Sequence, residues 1–463
     1  MKIDKLELKN FRAFKQFKCQ FGTGVNVLVG LNGFGKTSIL DAIAIGYGQF
    51  AGGFETSKDR GILNSDIRIA KHTIGAGELE AGDSLEVAGK FTMERQFPVE
   101  VQVTVHEEGD YQFPGSWSRS RNTLKGRTTQ VKDLKTVAQE LQKSVQNNEK
   151  VVLPLLSYYG TGRLWKEKRL TEKKNPTRHN SRLDGYMDCL DPESTYSAFA
   201  QWLRVETIAD YERQMQIIEE HGLEGAVVHG STIRGKLLKA ITSAVNIVLA
   251  PSGWSNIRYS ATTKEVIATH KNQGDVPVSY LSDGVRNMLG MVADIAYRAV
   301  RLNPHLAENA VNETSGIVLI DEVDMHLHPQ WQQLVLQNLS EAFPNIQFIV
   351  TTHSPQVLST VKQEQIRVLP DVAAGETEAL PPIGETLGKP SNYVLTQTLN
   401  VDARPPLRQV ELFEEYMQLI NSGLGRDDEA TKVREQLEGL LGQEHEDLVH
   451  ADRVLKRREL LGK

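Results

Sequence analysis

The chain has 463 residues, with 53 Lys and Arg against 59 Asp and Glu and a formal net charge of −6. That length gives roughly two to four folding units and excludes a single small binding module; the acidic balance argues against general coating of nucleic acid, which needs a local excess of Lys and Arg. Two cysteines, Cys19 and Cys189, make neither a disulfide framework nor paired metal-ligand spacing.

The opening MKIDKLELKNFRAF has no apolar run long enough for a signal peptide, and no window approaches the ~18 apolar residues of a membrane helix. A cytoplasmic protein with no membrane contact is the expectation. Val25 to Val29 reads as a buried strand. It runs into Gly30-Leu31-Asn32-Gly33-Phe34-Gly35-Lys36-Thr37, which fits G-x-x-x-x-G-K-[ST] ahead of a helix beginning at Ser38. Glycines let backbone amides point at a β-phosphate, the helix N-terminus adds partial positive charge, and Lys36 spans the β- and γ-oxygens. Asn32, Gly33, Gly35, Lys36, Thr37 and Ser38 are therefore expected to bind ATP, with Thr37 a ligand of Mg2+; a helix-capping glycine turn is the bland alternative.

Alternating residues from Asp83 to Tyr111 predict antiparallel strands of an inserted lobe. Val131, Leu134, Val137, Leu141 and Val145 predict one helix of about five turns. Between Tyr159 and Arg182, eight basic residues outnumber two acidic ones. With Tyr158, Tyr159 and Trp165 nearby for stacking, the run 163–182 is a candidate nucleic-acid contact; a solvated loop or a protein-partner surface explains it equally well. Residues from about Ser194 to Val248 read as largely helical.

Tyr280-Leu281-Ser282-Asp283-Gly284-Val285-Arg286 opens another helix, and its serine and glycine resemble the LSGGQ signature of ATP-binding-cassette proteins. Asp283 and Val285 depart from that pattern, and a helix cap at Ser282 or Asp283 is the other reading. Ile317 to Ile320 is a second buried strand, ending in Asp321-Glu322. Asp321 is expected to hold Mg2+, usually through water, and Glu322 to polarise the attacking water. A third strand, Gln347 to Val350, leads to His353, 32 residues after Asp321, in the place of a γ-phosphate-sensing histidine. A fourth, Ile366 to Leu369, completes an α/β pattern. His326 and His328 could join His353 at a metal, but a dimer-facing loop is the preferred reading. Residues 371 to 405 read as a connector, and charged helices follow from Leu407.

The set NFRAF, VGLNGFGKTS, YLSDGVRNML, GIVLIDEVDMHLHPQWQ and FIVTTHSPQVLS resembles the RecF/SMC/OLD group of ABC-type ATPases. Within it the likeness is to the RecF-like ATPases that include the PtuA subunit of Septu and retron-associated anti-phage systems; YYGTGRLW and GYMDCL also look familial. The resemblance implies an ABC-type P-loop ATPase head, an α/β fold, in two halves, 1–80 and 251–370. Inserted β and helical lobes would fill 81–250, and a connector with C-terminal helices, a possible partner-docking region, would fill 371–463. It implies a head-to-tail dimer, or a higher homo-oligomer, in which Lys36, Thr37, Asp321, Glu322 and His353 of one copy face Ser282 and Gly284 of the other. Arg12 matches an arginine that contacts nucleotide in related heads; a surface charge is its alternative role. The glutamine such heads place beside the metal has no evident counterpart, since Gln49 follows too closely and Gln130 lacks a strand context.

OLD-type relatives add a Toprim nuclease needing a Glu and an Asp-x-Asp pair for metal. The 110 residues after His353 contain no Asp-x-Asp, so if nucleic acid is cut a second protein is expected to cut it; the resemblance to Septu-like systems implies an HNH-type nuclease subunit as that partner. Two rivals remain: a RecF-like clamp that grips DNA itself, and the ATPase subunit of a transporter, which the degenerate signature and the large insert disfavour.

Overall fold

Two sheets with opposite hydrogen-bonding habits sandwich one apolar helix. The computed structural model describes residues 1–73, 91–106, 113–162, 181–192, 197–229, 232–371, 375–402 and 404–461, in two units, Met1–Leu399 and Asn400–Lys463. In the first unit the parallel sheet runs Ile366–Val368, Val25–Val29, Ile346–Thr351, Gly316–Ile320, Leu155–Tyr159. Four of these are the strands expected from apolar runs. Val25–Val29, Gly316–Ile320 and Ile346–Thr351 are buried along their whole lengths, as strands covered on both faces must be. Each fully buried Val, Leu or Ile adds about 1.5–3 kcal/mol of transfer free energy.

The second sheet is an antiparallel hairpin, Ile3–Phe11 and Phe14–Gln20, extended by the antiparallel Val99–Val105 and Ser116–Arg121, with the short Glu378–Ala379 added parallel to Phe14–Gln20 on its far edge. Part of the segment expected as a separate β lobe is thus built into the head. Val99–Val105 alternates buried and half-buried residues, and its valines find the apolar face of Ile3–Phe11 rather than a core of their own. Phe91–Arg95 pairs with Ile69–Thr73 as a separate two-stranded ribbon; the rest of the 83–111 stretch lies partly outside the described residues. The two sheets are joined by the fully buried Gln347, whose amide accepts from Ile3 N (2.8 Å) and donates to the carbonyls of Ile3 and Gly22 (both 2.7 Å).

The helix Lys36–Gly46 has nine buried residues, seven of them from the apolar stretch Ile39–Gly46 that Asp41 alone interrupts, as suits a helix packed on both sides. Its end is pinned to the antiparallel sheet by Trp117 Nε1 donating to Gly46 O (2.9 Å) and Arg119 Nη1 donating to Ile45 O (2.7 Å). Ser197–His229, broken at Gly222 (φ +70°), and Ile233–Leu249 fill the stretch expected to be largely helical from Ser194 to Val248, and Lys132–Gln146, about four turns, stands where one helix of about five was expected. In the second unit Arg408–Asn421, Asp428–Leu441 and Glu446–Leu460 close a core around Phe413, Tyr416, Leu437 and Leu448. Among the described residues no helix is long and apolar enough to cross a membrane.

Candidate functional site

The strands Val25–Val29, Ile346–Thr351 and Gly316–Ile320 lie side by side and point the same way, so the residues after them gather at one edge of the sheet. That edge holds Gly30 to Thr37, Asp321-Glu322 and His353. Gly33 and Gly35 have φ of +87° and +90°, the left-handed region where glycine carries no Cβ penalty. At Gly35 a Cβ would also lie 2.6 Å from the Phe14 ring, so the turn fits only as glycine.

Lys36 is 8% exposed and donates to the carbonyls of Gly30 (2.8 Å) and Leu31 (3.1 Å). Burial lowers its pKa, and the nearby Asp321 and Glu322 oppose that shift. Thr37 Oγ1 donates to Asp321 Oδ2 (2.7 Å), joining the P-loop to the carboxylate strand across 284 positions of sequence. The other oxygen, Asp321 Oδ1, accepts from Thr351 Oγ1 (2.6 Å), whose hydroxyl in turn accepts from Glu322 N (2.7 Å). Glu322 sits at φ +49°, a conformation that costs a non-glycine residue of order 1–3 kcal/mol unless its surroundings hold it. Thr351 does the holding. Its role was not read from the sequence, where the only signal is a pair of hydroxyl residues closing an apolar strand.

Asp324 accepts from Thr352 Oγ1 (2.5 Å), and Ser354 Oγ donates to Gln332 Oε1 (2.8 Å), so the loop after the carboxylates is fastened on both sides of His353. The His353 imidazole is exposed, yet partial burial and then the Lys36 charge lower its pKa, which favours the neutral ring, a donor and an acceptor at once. Thr37 and Asp321 offer hard oxygen donors in contact with each other, a donor set that fits Mg2+ held with a nucleotide phosphate.

Ser282 stands at the start of the helix Asp283–Leu302 but makes no side-chain capping bond, and Asp283 instead pairs with Arg286. The hydroxyl of Ser282 is thus left exposed at a 20-residue helix's N-terminus. Gly284 lies against the next loop: a Cβ there would come 2.2 Å from His326 O. An open cleft of about 740 Å³ separates Ser282 and Val285 from His328 and Trp331. His328 caps the short helix Pro329–Gln332 through Gln330 N, and among the described residues no three His, Cys, Asp or Glu are grouped to hold a metal.

Arg12 is an ion-pair hub. Its guanidinium meets Asp66 (2.8 Å) and Asp41 (2.7 Å) and stands 3.5 Å from Ser38 Oγ. Gln49 is turned to Asp59 (2.6 Å), and Gln130 is exposed ahead of Lys132–Gln146. Of the basic run 163–182, residues 163–180 lie outside the described residues. Arg182 is described, and its guanidinium donates to the carbonyls of Leu302 (2.8 Å) and Val151 (2.5 Å), a structural task.

Two protein families match: an AAA domain over residues 5–221, and an AAA domain described as putative AbiEii toxin, Type IV TA system, over 172–359. The retron Ec83 probable ATPase of Escherichia coli is 27% identical over 99% of this chain and 87% of its own length. The Septu protein PtuA of Bacillus thuringiensis is 31% identical over 25% of this chain and 30% of its own. The DNA replication and repair protein RecF of Clostridioides difficile is 23% identical over 76% of this chain and 91% of its own.

Proposed function

From the geometry of the site and the similarity of this chain to the ATPases of retron and Septu systems, we propose that it is an ABC-type P-loop ATPase head of the RecF/SMC kind that binds and hydrolyses ATP between two head-to-tail copies and regulates a separate nuclease in anti-phage defence. The observation that carries the reading is the chain of hydroxyl and carboxylate contacts from Thr37 through Asp321 and Thr351 to the backbone of Glu322, which ties the P-loop to the residue placed to handle water.

In this reading Lys36 leaves the carbonyls of Gly30 and Leu31 to meet the β- and γ-phosphates, and Thr37 and Asp321 hold Mg2+, which would supply charge neutralisation on the phosphate oxygens. Glu322 orients and polarises the attacking water, and neutral His353 donates to the γ-phosphate. Ser282 and Gly284 offer the partner's triphosphate an uncapped helix N-terminus, a place suited to an anion. Arg12, held beside Ser38 by Asp41 and Asp66, takes the phosphate or ribose side. In this reading the nuclease is a separate chain, and the described elements after Asn400 are helices that could dock it. The C-terminal helices or the inserted segments would carry the nucleotide state to that partner in the cytoplasm. A RecF-like clamp acting on DNA directly is the second reading, favoured by the near-complete coverage of RecF; the residues 163–180 would be its contact.

The test is a pair of variants. Lys36→Ala is expected to abolish ATP binding, and Glu322→Gln to keep it while accumulating ATP-bound dimers, measured by equilibrium binding and by light scattering of the full chain. Hydrolysis by Glu322→Gln at the wild-type rate, or a strictly monomeric active enzyme, would refute the scheme. Strong salt-sensitive DNA binding by the chain alone would favour the clamp.

A further inference from the structure

The three helices of the second unit turn different charge patterns outward. On Asp428–Leu441 the exposed Glu429, Lys432 and Glu435 alternate in sign at steps of three, the mixed face of a helix that meets only water. On Arg408–Asn421 every charged residue after Arg408 is acidic: Glu411, Glu414 and Glu415, all exposed. On Glu446–Leu460 the exposed charges between Leu448 and Arg458 are Arg453, Lys456 and Arg457, all basic.

The two single-sign stripes share one spacing. Glu411, Glu414 and Glu415 stand at i, i+3 and i+4, and so do Arg453, Lys456 and Arg457, with Gln418 and Leu460 next in each at i+7. At 3.6 residues per turn each set of three spans an arc of about 100°, turned away from the core that Phe413, Tyr416, Leu448 and Leu455 close. Like charges at these spacings repel, so each stripe weakens its own helix. The helix dipole offsets this only at Glu411 in the first turn and Arg457 in the last; the other four lie beyond its reach. Nor do the stripes neutralise each other within one chain. Among the described residues none of the six has an ion pair, whereas Arg404, Arg426 and Arg434 of the same unit are paired with Asp447, Glu459 and Asp452. Apolar surface lies beside the basic stripe: Leu460 is 88% and Leu461 61% exposed, and Leu424, 45% exposed, sits on the loop that Arg426 ties to Glu459.

We propose that the stripes are the two halves of a contact between copies of this chain, the acidic stripe of one seated on the basic stripe of the other. A two-fold pair makes that contact twice, because the same residues serve in both directions, and the exposed leucines add apolar area at its margin. It needs no nucleotide and uses no residue of the larger unit, so it joins copies independently of the nucleotide-held pair of the proposed function. A nucleic acid would fit the basic stripe alone and leave the acidic one without a use.

The experiment is sedimentation velocity of the full chain without nucleotide or Mg2+, at ~50 mM and ~500 mM salt, between which screening shortens the reach of charge about threefold. The wild type is expected to associate at low salt and separate at high. Reversing the acids (Glu411→Lys, Glu414→Lys, Glu415→Lys) or the bases (Arg453→Glu, Lys456→Glu, Arg457→Glu) should weaken association about tenfold or more. An equimolar mixture of the two reversed chains should associate again, as should one chain carrying both reversals. ATP binding should keep its wild-type value throughout, since no reversed residue is assigned to nucleotide. A wild type that stays monomeric at low salt, association unmoved by either reversal, or reversed chains of wild-type helix content by circular dichroism that fail to meet in the mixture overturns the proposal. Loss from the base reversal alone, in a chain that binds short duplex DNA, overturns it too and assigns the basic stripe to nucleic acid.

Discussion

At the scale of single residues, the candidate site is held together by one buried hydroxyl, that of Thr351. Thr351 is fully buried, and its one oxygen serves Asp321 and the Glu322 amide at once. Replacing it by valine keeps the volume but removes the acceptor that Thr351 offers the half-buried Glu322 N–H, at a cost of about 0.5–1.5 kcal/mol, and loosens a backbone held at φ +49°. Thr351→Val is therefore expected to lower kcat about 10–100-fold while ATP affinity, which the proposed function assigns to Lys36 and the P-loop, changes little. Steady-state turnover and equilibrium binding separate the two, and an unchanged kcat would remove Thr351 from the site.

Among elements, the helix Asp283–Leu302 is seated by charge as well as by apolar contact. Arg298 and Asp294, 6% and 5% exposed at their side chains, meet at 2.8 Å. Arg298 also donates to the carbonyls of Gly185 and Met187 (both 2.9 Å), and Asp294 accepts from Tyr159. One buried pair thus fixes the helix that presents Ser282 to the strand beside the carboxylates. Arg298→Met leaves Asp294 buried and uncompensated, and urea denaturation should register a loss of about 3–5 kcal/mol; a change below about 1 kcal/mol would mean that water or repacking replaces the pair. Such a network is invisible in the sequence, because an Asp and an Arg four apart on a helix read equally well as a solvated surface pair. The strands around Val27, Leu319 and Ile349 were legible because an apolar run ending in polar residues has few other uses. The union of Ile3–Phe11 with Val99–Val105 was not, since alternation tells that a strand has one buried face without naming the strand beside it. For the same reason the motif residues Lys36, Thr37, Asp321 and Ser282 could be named in advance, whereas Thr351, Asp324 and Gln332 had to be found by distance.

On the scale of the whole molecule, stability divides where the cores divide. Residues Asn400–Lys463 close their own cluster around Phe413, Ile420, Val433 and Leu437, and Arg434 bridges two helices through both carboxylate oxygens of Asp452 (3.0 and 3.1 Å). A unit of this size buries a smaller share of its surface than a large domain does and is marginal on its own. The larger unit carries both sheets and every residue that the proposed function assigns to nucleotide. Ligand binding stabilises only the unit that binds, by about 2.7 kcal/mol at a hundredfold excess over Kd. Calorimetry of the full chain is therefore expected to show two transitions, with ATP and Mg2+ raising the midpoint of the larger one and leaving the smaller unmoved. A chain ending at residue 399 should keep the larger transition and its nucleotide shift. If ATP moved both transitions together, the C-terminal helices would be energetically coupled to the nucleotide site within one chain, and their proposed part in relaying its state would need no partner to be detected.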